Sequence, residues 1–184
     1  PMLGRYIFNS FFLATCVAVI TLLFVIPAAY SYARFDFPAK NRLDSLFDSS
    51  YEIIETESNI DPDPLNFKVG EKYKYIDKIK KYQKVTGQKN ALLCASGKIS
   101  NLSAVVTCFN PLFGGGRLGT VENENFLAAS NYAIQNKVDI WVVIFQSSGI
   151  DVHTGVTGLA GMAKTIIAMD EIKKAGIPTF AVAA

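Results

Sequence analysis

Histidine occurs once, as His153, and cysteine three times, as Cys16, Cys94 and Cys108, with no two cysteines in a CxxC spacing. A histidine-based metal cluster is therefore excluded within this chain. So sparse and odd a set of thiols reads as reduced, not as a disulfide framework or a zinc site. A strong net charge is also missing: the balance of +2 is too small to argue for nucleic acid as a partner. No paired nucleophile and base stand out, and no two carboxylates have a spacing that suggests acid–base work. Charge of any sign is absent from residues 6–33 (YIFNSFFLATCVAVITLLFVIPAAYSYA).

What is present is spread unevenly. Residues 44–63 carry seven acids and no Lys or Arg, residues 68–89 carry eight lysines against Glu71 and Asp77, and residues 91–184 balance six against six. The expected organisation follows these shifts: 1–43 a membrane helix and its flank, 44–90 an acidic linker and a lysine-rich helix, and 91–184 an α/β core.

The uncharged stretch exceeds the about 20 apolar residues that a bilayer core requires. Tyr6, Tyr30 and Tyr32 sit near its ends, Arg5 precedes it, and Arg34, Lys40 and Arg42 follow it. Residues 6–33 are thus expected to span a membrane with the C-terminal end in the cytoplasm. A cleavable signal peptide would have an apolar region of only about 7–15 residues.

Residues 44–70, with Pro62 and Pro64 and little periodicity, read as a linker or an irregular extended arm. In EKYKYIDKIKKYQKV (71–85), Tyr75, Ile76, Ile79, Tyr82 and Val85 recur at helical spacings, and Gly87 supplies a stop. The lysine face of that helix is either a solvated side or a contact for an anionic ligand such as nucleotide phosphates. ALLCAS (91–96) and SAVVTCF (103–109) read as an antiparallel hairpin, with Cys94 and Cys108 as small core residues. A helix follows NPLFGGGRLGT, with Thr120 its expected N-cap.

Gly114, Gly115, Gly116 and Gly119 let that turn approach something closely. The spacing is neither a dinucleotide fingerprint nor a P-loop, and a plain strand-to-helix connection is the simpler reading. DIWVVIFQ (139–146) has the continuous apolar character of a strand buried on both faces. A helix over 156–174 and a strand at TFAVA complete a β-β-α-β-α-β order, which favours a mostly parallel sheet. Both turns then sit at strand exits, where such folds bind ligands. Backbone amides at a strand exit near a helix start need no side-chain machinery to stabilise a thioester enolate, one such donor being worth about 3 kcal/mol of barrier.

Two resemblances add to this. GRYIFNSFFLATCVAVITLLFVIPAAYSYARFDFP resembles a transmembrane helix of sugar-importer ABC transporter permeases, over about the first 43 residues. From about Leu46 onward the chain resembles the carboxyltransferase beta subunit of acetyl-coenzyme A carboxylase. The words that carry this likeness are Asp63-Pro64-Leu65-x-Phe67, YxDKIKxxQKxTG from Tyr75 to Gly87, FGGGRLGTV from Phe113 to Val121 followed by Glu124, SSG…G from Ser147 to Gly155, GMAKT and Ala175-Gly176-Ile177-Pro178.

That second likeness implies a partial crotonase-like ββα superhelix, preceded here by the one transmembrane helix. It further implies an alpha-type subunit and a biotin carrier protein as partners, with acetyl-CoA as substrate and carboxybiotin as carboxyl donor. The product would be malonyl-CoA for fatty acid synthesis. Catalytic amides would lie at Gly149 and Ser148, and substrate would meet Gly114, Gly115, Gly116, Arg117 and Gly119.

The sequence departs from the family pattern in several places. Ser148 replaces a glycine, and Asp151 stands where an arginine is usual, so it is expected to repel phosphates and weaken CoA binding. His153 falls at a common glutamine position and is expected to serve as a local hydrogen-bonding residue. The four-cysteine zinc ribbon is missing, and the chain ends at Ala184 before the next glycine-rich turn, so a half core with open apolar faces is expected. The alternatives are a permease fragment, an inactive membrane-tethered scaffold, or a chimera of two joined fragments.

Overall fold

Ser100 and Asn101, with φ of 50° and 65°, form the two-residue turn on which the sheet is built. Positive φ at both central positions matches the twist of a tight hairpin. Strands β4 (Leu92–Ile99) and β5 (Leu102–Phe109) pair across it in antiparallel register, Ile99 opposite Leu102 and Leu92 opposite Phe109. In this computed structural model the described residues are 39–56, 60–70 and 72–183, with Phe12 and Thr15. The described fold lies within the unit Phe37–Ala184. Apart from Phe12 and Thr15, the expected membrane span 6–33 lies outside the described residues. Among those residues no helix is long and apolar enough to cross a membrane.

The other elements, in chain order, are α1 (Ala39–Leu46), β1 (Glu52–Ile54), β2 (Lys68–Val69), β3 (Tyr73–Lys74), α2 (Tyr75–Thr86), α3 (Thr120–Gln135), β6 (Ile140–Phe145), a 3-10 turn (Val152–Thr154), α4 (Val156–Lys174) and β7 (Thr179–Ala183). The sheet order is β1-β4-β5-β6-β7. Strand β6 runs parallel to β5 and to β7, each pair joined through a helix. The β-β-α-β-α-β order read from residues 91–184 is the one observed.

Strand β6 takes part in two cores. Trp141 and Val143 pack with Val105, Phe126, Ala129, Ala168 and Ile172 under α3 and α4. Ile144 joins Val106 and Cys108 against Leu43 and Phe47. Leu43 and Phe47 come from the stretch around α1, and β1 pairs with β4 through Ile54 opposite Cys94. Residues 44–54 are therefore packed against the sheet, not the irregular arm expected of them, and 39–43, expected as the flank of a membrane helix, form the start of α1. They fill a sheet face that would otherwise meet water.

Two local expectations also change. The N-cap of α3 is Gly119, not Thr120. Glu122 reaches back to accept the Gly119 N–H at 3.0 Å, so the cap is supplied by the third helical residue. On α2, Tyr75 and Ile79 are buried while Val85 is 68% exposed, because the helix closes at Gly87 before Val85 meets the sheet. Apolar exposure is concentrated on α4 (Val156, Leu159, Ile166, Ile167) and on β7 (Phe180, Val182).

Candidate functional site

Strand β6 exits into Gln146, Ser147, Ser148 and Gly149, and this turn lies alongside the glycine-rich turn 113–119. The two are joined by backbone hydrogen bonds: Ser148 N–H to the Gly115 carbonyl at 2.8 Å, Leu118 N–H to the Gly149 carbonyl at 2.9 Å, and Asp151 N–H to the Leu118 carbonyl at 3.0 Å. The close approach explains the glycines. A Cβ at Gly116 would lie 2.0 Å from the Gln146 carbonyl oxygen, and one at Gly115 would lie 2.8 Å from Ser148 Oγ. Gly114 faces Tyr82 and Arg117, and Gly119 faces Glu122. All four glycines expected to contact substrate are thus turned toward the protein's own atoms.

Gly149 differs. Its φ is +103°, and a Cβ there would meet nothing within 4 Å. Its N–H donates to Ser147 Oγ at 3.1 Å in an exposed setting, and a rotatable hydroxyl can yield that position. The Ser148 N–H, expected as the second donor, is engaged by Gly115. At this turn, then, the Ser148 amide is held by backbone and the Gly149 amide only by an exposed hydroxyl.

Asp151 and Arg117 correct the electrostatic expectation. The Asp151 side chain is 3% exposed and Arg117 8% exposed, and Arg117 Nη1 lies 2.5 Å from Asp151 Oδ2. The carboxylate is neutralised inside the protein and does not project toward a ligand's phosphates. Arg117, expected to bind substrate, is committed to this pair. Its guanidinium carbon lies 5.1 Å from the Tyr75 ring centre and 5.2 Å from that of Phe113, and its Nε is buried without a partner.

Asp151 is a hub for more than arginine. It accepts from the Tyr75 hydroxyl, from the His153 N–H at 3.1 Å and from His153 Nδ1 at 2.8 Å. The imidazole lies flat on Tyr75, ring centres 4.2 Å apart and 3° from parallel, with Phe67 edge-on at 5.0 Å. Arg117, Lys78, Tyr82, Ser148, Ile150 and His153 help to line a cavity of about 160 Å³ beside the turn. Burial draws the Lys78 ammonium down, but contacts with the Tyr82 and Tyr73 phenols outweigh it and hold the group above the ordinary lysine value.

Tyr75 and Tyr82 were read only as apolar helix-face residues, and Lys78 as part of a lysine face either solvated or in contact with an anionic ligand. Their signal was the i, i+3, i+7 spacing, which places all three on the side of α2 that meets the turns. Cys94 and Cys108 are core residues: burial pushes their thiols up to about 12 and about 11, with Arg42 pulling back on the latter. Among the described residues no group of three or more His, Cys, Asp or Glu is placed to hold a metal ion.

No family model matches the chain. It is 34% identical over 157 residues to a Hirschia baltica protein named acetyl-coenzyme A carboxylase carboxyl transferase subunit beta, across 85% of this chain and 43% of that protein. A protein of the same name from Fusobacterium nucleatum is 31% identical over 148 residues, across 80% of this chain and 47% of its own length. The chain therefore spans just under half the length of these curated relatives. Among solved structures, transcarboxylase 12S, a hexamer with methylmalonyl-coenzyme A and methylmalonic acid bound, superposes with a TM-score of 0.61 at 16% identity, covering 85% of this chain and 28% of that one. That likeness gives the fold: mixed α/β of the crotonase-like carboxyltransferase kind. Nothing in these findings supports the permease likeness of residues 1–43 or a chimera.

Proposed function

We propose that the chain acts as a carboxyltransferase beta-type subunit, holding acetyl-CoA with its thioester at Gly149 while a carboxyl group is transferred to give malonyl-CoA. The observation that carries this reading is the uncrowded Gly149, at a strand exit, whose amide is held only by the exposed Ser147 hydroxyl, within a chain related to proteins of that name. The thioester oxygen takes the Ser147 hydroxyl's place on the Gly149 N–H, and the missing Cβ leaves room for it. One preorganised donor of this kind is worth about 10²–10³ in rate. Carboxybiotin on a carrier protein would supply the carboxyl group. The chain's own part is to seat the thioester, hold the developing enolate oxygen and present the acetyl carbon.

Lys78, which lines the cavity, supplies positive charge for CoA phosphates. An alpha-type subunit is the proposed partner. The uncharged stretch 6–33 is proposed as a membrane anchor that leaves the α/β unit in the cytoplasm, and resistance of the membrane-bound chain to alkaline carbonate extraction tests it. A second reading, an inactive scaffold for the same partner, is favoured by one observation: the Ser148 amide is already taken.

The deciding experiment mixes the chain with an alpha-type subunit, labelled carboxybiotinylated carrier and acetyl-CoA. Labelled malonyl-CoA that disappears with the Gly149→Val variant supports the enzyme. Stable complex formation without product supports the scaffold.

A further inference from the structure

Gly149 has a conformation that no contact of its own enforces. Its φ is +103°, and a Cβ there would meet nothing within 4 Å, so packing at the residue does not select this geometry from the wide range open to glycine. The flanks of Gly149 select it. The Ser148 N–H reaches the Gly115 carbonyl, the Gly149 carbonyl accepts from the Leu118 N–H, and the Asp151 N–H reaches the Leu118 carbonyl. All three anchors lie on residues 114–118, which begin with three glycines at φ of 61°, 77° and 69°. A turn of that composition can hold its neighbour only if it is itself held.

Arg117 holds it. It is the one residue of 114–117 with a side chain, its guanidinium lies against the rings of Tyr75 and Phe113, and its Nη1 ends 2.5 Å from Asp151 Oδ2. Asp151 is fixed from two further directions. Its Oδ2 also takes the Tyr75 hydroxyl of α2, and its Oδ1 takes the His153 N–H and Nδ1, capping the 3-10 turn. A buried carboxylate two residues after Gly149 thus ties both turns to α2.

We infer that Asp151 is a positioning residue for the Gly149 amide: paired with Arg117, its carboxylate holds the two turns in the relation that aims this N–H. The inference rests on the reading of Gly149 as the thioester site and names the device that keeps the donor in place. Asp151 touches no substrate and acts through the backbone between it and Gly149. A donor helps a developing oxyanion only if it is aimed before the charge appears, and a misplacement of about 1 Å costs about 100-fold in rate.

The test uses Arg117→Met combined with Asp151→Asn, which breaks the tie but leaves no uncompensated buried charge. The full chain is labelled with ¹⁵N-glycine, and the Gly149 signal is identified by its loss in Gly149→Ala. It should be a single sharp peak in the wild type and broadened by exchange in the double variant. Asp151→Asn alone, which keeps an acceptor for Tyr75, should broaden the same signal. With an alpha-type subunit, labelled carboxybiotinylated carrier and acetyl-CoA, kcat of the double variant should fall about 100-fold, while KM stays within about twofold, the mark of an interaction that matters in the transition state. Its urea midpoint should stay near that of the wild type, so the loss is not one of folding. A Gly149 signal as sharp in the variants as in the wild type overturns the inference, as does a double variant with wild-type kcat or a loss confined to KM. If the wild type makes no malonyl-CoA, the carboxyltransferase reading fails, and the glycine spectra alone decide whether Asp151 sets the amide.

Discussion

Arg117→Met removes one charge of a buried pair and little else. Methionine keeps an apolar stem that reaches between the rings of Tyr75 and Phe113, which now sandwich the guanidinium. Asp151, 3% exposed, is left with the Tyr75 hydroxyl and two N–H donors from His153 but no cation. Breaking a buried pair by removing one partner costs about 3–5 kcal/mol. The three surviving hydrogen bonds put this case near the lower limit, about 3 kcal/mol, or about 100-fold in the folded-to-unfolded ratio.

That is a large part of the about 5–15 kcal/mol that holds a domain together. Urea titration followed by fluorescence of Trp141, the chain's single and fully buried tryptophan, reads it directly. Arg117→Met with Asp151→Asn should recover most of the loss, since no uncompensated charge then remains. A single-variant cost below about 1 kcal/mol, or a double variant no more stable than the single one, would refute the reasoning, because a buried pair must couple more strongly than an exposed one.

Other outcomes follow from the same geometry. Gly116→Ala places a methyl group 2.0 Å from the Gln146 carbonyl oxygen at φ +69°, and should cost at least about 2 kcal/mol in the same titration; a wild-type midpoint would contradict the contact between the two turns. Cys94 and Cys108, pushed up to about 12 and about 11 by burial, should resist thiol reagents at pH 8 in the folded chain and label fully in denaturant, as peptide mass mapping will show. Asp139 is held below the usual carboxylate range by the Ser103 hydroxyl and N–H. A depressed folded-state pKa stabilises above the unfolded value of about 3.9 and the gain is lost as pH falls through the folded one. Asp139→Asn should therefore lower the urea midpoint at pH 7 and leave it nearly unchanged at pH 2; an equal drop at both would contradict this.

The hairpin, the two following helices and strand β6 could be read from the chain because each shows its own period. The run IWVVIF reads as a core strand, and all of it but Phe145 is buried or partly buried, while Gly87 stops α2 in a left-handed cap. Residues 39–54 could not be read this way. Leu43, Phe47 and Ile54 lie in a stretch with no sustained apolar period, and they acquire their place only from the clusters they join on the sheet.

The place of the two turns was legible in the chain, but their charge pairing was not. Gly149 was marked by its place after β6. Arg117 and Asp151 are 34 residues apart, and their union depends on the parallel bridge between Leu118 and Ile150, which no local pattern announces. An acid at position 151 looked repulsive in the linear chain because the cation beside it comes from the other turn. Ser148 was misjudged for the same reason: the Gly115 carbonyl that takes its amide belongs to that neighbouring turn.

The claim that the thioester sits at Gly149 is tested most directly by hydrogen–deuterium exchange of the full chain with and without acetyl-CoA, resolved to the peptide spanning 146–150. The account expects acetyl-CoA to slow exchange at the Gly149 amide, where the ligand oxygen takes the place of the Ser147 hydroxyl. Acetyl-CoA that binds and protects other segments while this amide exchanges at its free rate would contradict it.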